Sequence, residues 1–140
     1  MPCLEIAMPK VDRETKVQLA DKLTEAFAAA SGFPAEIFGV HFREYEPGTA
    51  SAGGTLWDGG DTRPYLHFLL YSPRLKRSVK QKLAATLSQA FTQCVGHTHW
   101  LPVIHLCEHP YDNVGVEGKL LSDSYEECAK SRFYYETPKD

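Results

Sequence analysis

The chain has 140 residues, enough for one domain that buries its own core without disulfides or a structural metal. Hydrophobic residues make up 43% and charged residues 24%, and the net charge of -3 lacks the basic field that nucleic acid or an anionic membrane surface requires. No apolar run forms a secretory leader or a membrane span, and Cys3, Cys94, Cys107 and Cys128 make no Cys-x-x-Cys pair, so a reduced, cytoplasmic protein without nucleic-acid or membrane partners is expected.

In chain order, Leu4, Ile6 and Met8 alternate with Cys3, Glu5 and Ala7, the period of a half-buried strand, which Pro9 stops. Asp12 is placed to cap a helix in which Leu19, Leu23 and Phe27 form an apolar stripe flanked by Ala20, Ala26 and Ala30. Gly32 and Pro34 are its stop signals. Phe38, Val40 and Phe42 alternate as a second strand. The glycine-rich segment 47–63 leads to a second series of the same kind: Leu66, Phe68 and Leu70, then Val79, Leu83, Leu87 and Phe91 closed by Gly96, then Ile104 and Leu106. A tail over 122–140 opens on Ser122 or Asp123 as a cap for a short helical run and ends polar around Pro138.

The two series are copies. A shift of 64 positions aligns residues 2–57 with 66–121 without a gap, and 13 of the 56 pairs are identical, where unrelated chains of ordinary composition match at roughly 6%. Pro9/Pro73, Arg13/Arg77, His41/His105 and Glu44/Glu108 are among them and lie off the apolar stripes, so helix amphipathicity does not account for the match. Strands joined by a crossover helix run parallel. The expected fold is therefore α/β (α+β), one domain over 1–140 built from a tandem β-α-β repeat. Its four-stranded sheet is mainly parallel-paired, with both helices on one face. The other face carries Glu5, His41, Arg43, Tyr65, His67, Leu69, His105 and Cys107, too mixed to be left wholly in water, and self-association through it is expected.

Pro2 is the most informative residue for chemistry. Removal of Met1 exposes a secondary amine, and an α-amino group titrates at about 7.7–8.0, so neighbouring cations would leave it free to take a proton at neutral pH. Arg74 and Arg77 follow the third strand and lie on one face if the second helix has begun there, where they can hold a carboxylate through charge-assisted bonds. His105, Cys107 and His109 alternate on one strand, with His97 and His99 upstream, and are of zinc-ligand type. The recurrence of His41 at the His105 position favours a structural duty shared by both copies, and no metal is assigned. Glu44 and Glu108 read as solvated or ion-paired.

The opening Met1-Pro2-Cys3-Leu4-Glu5-Ile6 with Arg13 at the helix start resembles the tautomerase superfamily. The doubling is similar to its double-length members, among them the cis-3-chloroacrylic acid dehalogenases. Residues 24–32, Phe42–Gly48, the Gly-Gly-Asp-Thr at 59–62, Arg74–Ser78, Glu108–Pro110 and Gly118–Leu121 carry that likeness across 2–121. The resemblance implies a homotrimer of doubled units that uses no cofactor. Pro2 would be its catalyst, acting on a small carboxylate substrate held by Arg74 and Arg77, with Arg13 assisting. Phe27 stands where the dehalogenases carry a substrate-positioning histidine, and His105 where they carry a tyrosine. Val116 stands at their water-activating glutamate, with Glu117 one residue on. His105 and Glu117 are thus the candidates for polarising a carbonyl or activating water. The implied activity is general base/acid catalysis on small 2-oxo, enol or unsaturated carboxylic acids, with keto–enol tautomerisation leading. Hydration, dehalogenation or decarboxylation by a protonated Pro2, and a non-catalytic binding protein on the same scaffold, are the alternatives. The copies divide the labour: Leu66 stands opposite Pro2 in the alignment, and Lys10 opposite Arg74.

Overall fold

The computed structural model describes residues 2–60, 62–124, 126 and 127. The alternating segments form β1 (Cys3–Pro9), β2 (Gly39–Tyr45), β5 (Leu66–Ser72) and β6 (Pro102–Glu108), and the apolar stripes form α1 (Arg13–Ser31) and α2 (Arg77–Val95). Two small hairpins follow the outer strands: β3 (Ser51–Ala52) with β4 (Thr55–Leu56), and β7 (Gly115–Val116) with β8 (Lys119–Leu120). Helices and hairpins recur at an offset of 64 residues, and the long strands within one residue of it. Local chemistry sets the boundaries. The Asp12 carboxylate accepts the Thr15 N–H at 2.7 Å, and Gly32 and Gly96 close their helices at φ 78° and 68°, where a side chain would be strained.

The long strands lie in the order β2-β1-β5-β6. Pairing is parallel within each unit, as the crossover helices require, and antiparallel between β1 and β5 at the centre. Two like units that meet through like strands with both helices on one face are related by a twofold axis normal to the sheet, which reverses strand direction. Leu4, Ile6, Met8, Leu66, Phe68 and Leu70 point from the sheet, and Leu19, Leu23, Phe27, Leu83, Leu87 and Phe91 from the helices, into one core where all are fully buried. Each contributes about 1.5–3 kcal/mol through burial.

Phe27 belongs wholly to this core. Its ring stacks on Phe38 with centroids 4.0 Å apart and planes 6° off parallel, and on Phe33 at 5.9 Å. The expected substrate-binding role for Phe27 is therefore corrected: the residue is inaccessible, because its position on the apolar stripe of α1 turns it onto the sheet. In the tail, Leu121–Ser124 form a 3-10 turn in which Asp123 accepts the Leu120 N–H at 3.0 Å. Most of the expected tail helix, Cys128 and Pro138 lie outside the described residues.

A carboxylate joins each outer strand to its unit's helix. Glu44, near the end of β2, accepts the Val11 N–H at 2.8 Å and the Lys16 ammonium at 2.6 Å. Glu108, at the end of β6, accepts the Leu75 N–H and the Lys80 ammonium in the same way. This explains the repeated Lys16/Lys80 and Glu44/Glu108 identities. Tyr45 fastens the linker: its hydroxyl donates to the Tyr65 carbonyl at 2.7 Å, and burial pushes its pKa up to about 12, so it remains a donor.

Burial alone would raise the pKa of Glu44, but its bonds to Lys16 and Val11 outweigh this and hold it below its ordinary 4.5. A carboxyl lowered in the folded state stabilises above its unfolded value, and that contribution disappears as pH falls through the folded one. Glu44→Gln should cost about 1 kcal/mol at neutral pH and flatten the acid decline below pH 4.5. Urea melts across that range check both effects.

Candidate active site

The central antiparallel pairing decides what surrounds Pro2. Cys3 pairs with Tyr71, so one further step of the register sets Pro2 opposite Ser72, which itself pairs with Glu108. Pro2 is buried, and its carbonyl accepts the Gly39 N–H at 3.3 Å. From Ser72 the chain runs through Pro73, Arg74 and Leu75 to the start of α2 at Arg77. The start of β1, the ends of β5 and β6 and the start of α2 therefore converge at one end of the sheet.

Arg74 and Arg77 are both exposed at this end, but they do not share a helical face. Arg74 precedes the helix. Glu108 holds the Leu75 N–H, and Lys76 remains extended at φ -63° and ψ 146°, so helical geometry begins only at Arg77. The first turn of α2 contains no acidic residue and Lys76 supplies no side-chain cap. The acidic group at this helix start is Glu108, which comes from β6 and holds the Leu75 N–H and the Lys80 ammonium.

Three expected site residues lie elsewhere in the chain. Arg13 opens α1 beyond the far end of β1, whose seven residues separate it from Pro2 by about 20 Å at roughly 3.3 Å per residue. It faces the twofold-related end, where Leu66 takes the place of Pro2. His105 lies in the middle of β6, in a row with Leu69, Glu5 and His41 across the exposed sheet face. Its Nδ1 is 2.9 Å from Nε2 of His67. Strand alternation points it away from the helices, and Leu106 and Cys107 separate it from the strand end at Glu108, so it does not meet Pro2 within the chain. Phe27 is the core residue described above.

Glu117 is on the Pro2 end, because its hairpin continues from the end of β6 through the 3-10 turn Tyr111–Asn113. It is exposed at the hairpin tip with φ 52°, followed by Gly118 at φ 80°. The first hairpin turns the same way through Gly53 and Gly54, at 57° and 80°, so Glu117 occupies a position where its repeat partner is glycine. The alternative metal constellation is not assembled. Among the described residues no three histidine, cysteine or acidic side chains gather, and His109 stacks on Tyr71 at 5.8 Å instead.

Beside Pro2, burial first and the Glu5 carboxylate second raise the pKa of Cys3, keeping it a thiol rather than a nucleophilic thiolate at neutral pH. Tyr71, Ser72, Pro73, His109, Tyr111, Val114 and Leu121 enclose a cavity of about 30 Å³ at this end. Sequence reasoning missed this group because its members converge only through the β5–β6 pairing and the turn that follows β6. A larger groove of about 630 Å³ runs along the open edge of β2 between Arg13 and Arg43, away from Pro2.

Two β-α-β units about a pseudo-twofold axis, with a proline opening a central strand, define the tautomerase/MIF-like β-α-β architecture in its double-length form. The same fold is found in fused 4-OT, solved as an asymmetric trimer: 22% identity, 87% of this chain and 98% of that chain covered, TM-score 0.78. It is also found in Pt0534 inactivated by 2-oxo-3-pentynoate (21% identity, 88% and 98% covered, TM-score 0.76) and in macrophage migration inhibitory factor from Toxoplasma gondii (18%, 84% and 98%, TM-score 0.70). No family model matches the chain, and no curated protein matches it by sequence, so the likeness is one of fold. No helix among the described residues is long and apolar enough to cross a membrane.

Proposed function

We propose that the chain is a tautomerase that needs no cofactor and uses Pro2 as its proton carrier. With Met1 removed, the neutral amine takes the proton of an enol hydroxyl. The resulting ammonium delivers a proton to the enol carbon, which yields the ketone and restores the amine. Arg74 and Arg77 hold the substrate carboxylate and stabilise the enolate as charge develops. Cations close to such an amine favour its unprotonated form. The observation that carries this reading is the antiparallel β1–β5 register, which sets the first residue of one unit beside the basic loop and helix start of the other. Assembly as a homotrimer is supported by the mixed exposed face of the sheet and by the trimers formed by fused 4-OT.

Ketonisation of phenylenolpyruvate and 2-hydroxymuconate is the assay. Arg77→Ala should raise KM tenfold to a hundredfold, the loss of a charge-assisted bond of about 1.5–3 kcal/mol. An unchanged KM would remove the anion-binding role. An inactive wild-type protein with a processed N-terminus would instead favour a binding protein on this scaffold. The inactivator of Pt0534, 2-oxo-3-pentynoate, carries a carboxylate and an alkyne open to attack by an amine. An adduct on the N-terminal peptide would identify Pro2 as the reactive group.

A further inference from the structure

We propose that Glu108 is a positioning residue for the arginine pair, an inference that rests on the tautomerase reading. Glu108 closes β6 directly beside Ser72, two residues before Arg74. Its Oε2 accepts the N–H of Leu75, between the two arginines, and its Oε1 accepts the ammonium of Lys80, within the first helical turn after Arg77. The Leu75 side chain is anchored in the core at 7% exposure. The segment carrying both arginines is thus held by core packing of Leu75 and by the Glu108 carboxylate. Lys76 is extended at the N-cap, so Arg74 lies ahead of the helix and α2 starts at Arg77, and Glu108 holds the Leu75 N–H just before that point. Glu108 also partners one of four cations, Arg74, Lys76, Arg77 and Lys80, packed into seven residues.

The duplication supplies an internal control. Glu44 makes the same two contacts, to Val11 and Lys16, at the end of the sheet away from Pro2. A purely structural role predicts equal consequences for the two carboxylates, whereas a positioning role predicts an effect on substrate binding at Glu108 alone. The electrostatic and geometric consequences of losing Glu108 also differ in sign. Removing a negative charge strengthens attraction for a carboxylate and lowers KM, whereas loosening the arginines raises it.

Glu108→Ala and Glu44→Ala, compared in phenylenolpyruvate ketonisation, decide the matter. Glu108→Ala should raise KM tenfold or more with kcat within twofold, and the conservative Glu108→Gln should fall between it and wild type. Glu44→Ala should leave both constants within twofold while losing a similar amount of thermal stability. Equal effects of the two alanine variants, or a lower KM for Glu108→Ala, would overturn the inference while leaving an active wild type and the tautomerase reading intact. An inactive wild type overturns both. Should Glu108→Ala not fold, Lys80→Met removes one arm of the contact, with Lys16→Met as its control. The expected result is then a KM rise of threefold or more for Lys80→Met alone, and equal KM values overturn the inference.

Discussion

Pro2→Ala should reduce kcat/KM for phenylenolpyruvate ketonisation by about 10²–10⁴-fold, the range that a positioned general acid–base contributes. The substitution retains an α-amino group at the same strand start, so it removes the secondary amine and its fixed ring without opening the sheet. The fall should reside mainly in kcat, since the carboxylate remains held by Arg74 and Arg77. The folded state should be unaffected to within about 1 kcal/mol, because the Pro2 contact recorded in the sheet is its carbonyl, which alanine also offers. Steady-state kinetics with circular dichroism as the folding check separate the two. A variant with full activity would remove Pro2 from the mechanism.

Phe27→Ala should destabilise the protein by about 3–5 kcal/mol, the cost of emptying an aromatic site in a packed core. The ring is fully buried and stacks with Phe33 and Phe38, so its loss also breaks two stacked contacts. Molecules that remain folded should keep a KM close to wild type, because Phe27 is fully buried and offers no surface to a substrate. Denaturant melts measure the first effect and kinetics below the melting temperature the second. A KM change without loss of stability would return Phe27 to the substrate site.

Much of the architecture is legible in the residues. Alternation at Leu4, Ile6 and Met8, the stripe at Leu19, Leu23 and Phe27, and the stops at Gly32 and Gly96 each have one local solution, and all are realised. The antiparallel centre is not legible, because a strand buried on one face reads the same beside a parallel or an antiparallel neighbour. That single pairing determines which residues meet. It brings Pro2 to the end of the sheet where α2 begins, whereas Arg13 is held at the opposite end by the length of β1. His105 stays apart from Pro2 within the chain for a related reason. A residue matched to a known site by alignment still obeys the face and depth of its own strand, which here pair it with His67. The repeat identities at Glu44 and Glu108 were visible, but their partners Val11 and Leu75 are backbone amides, for which side-chain identity carries no signal.

The central claim is that the amine of Pro2 carries the proton, and it is tested most directly by two preparations of the same sequence, one with Met1 removed and one with Met1 retained. Every residue from 2 onward is shared, and the only chemical difference is whether the proline nitrogen is a free amine or a peptide amide that cannot accept a proton. The processed protein should ketonise phenylenolpyruvate, with kcat/KM falling as acidification protonates the amine. The protein retaining Met1 should be slower by about 10²-fold or more. Equal rates from the two preparations would contradict the account.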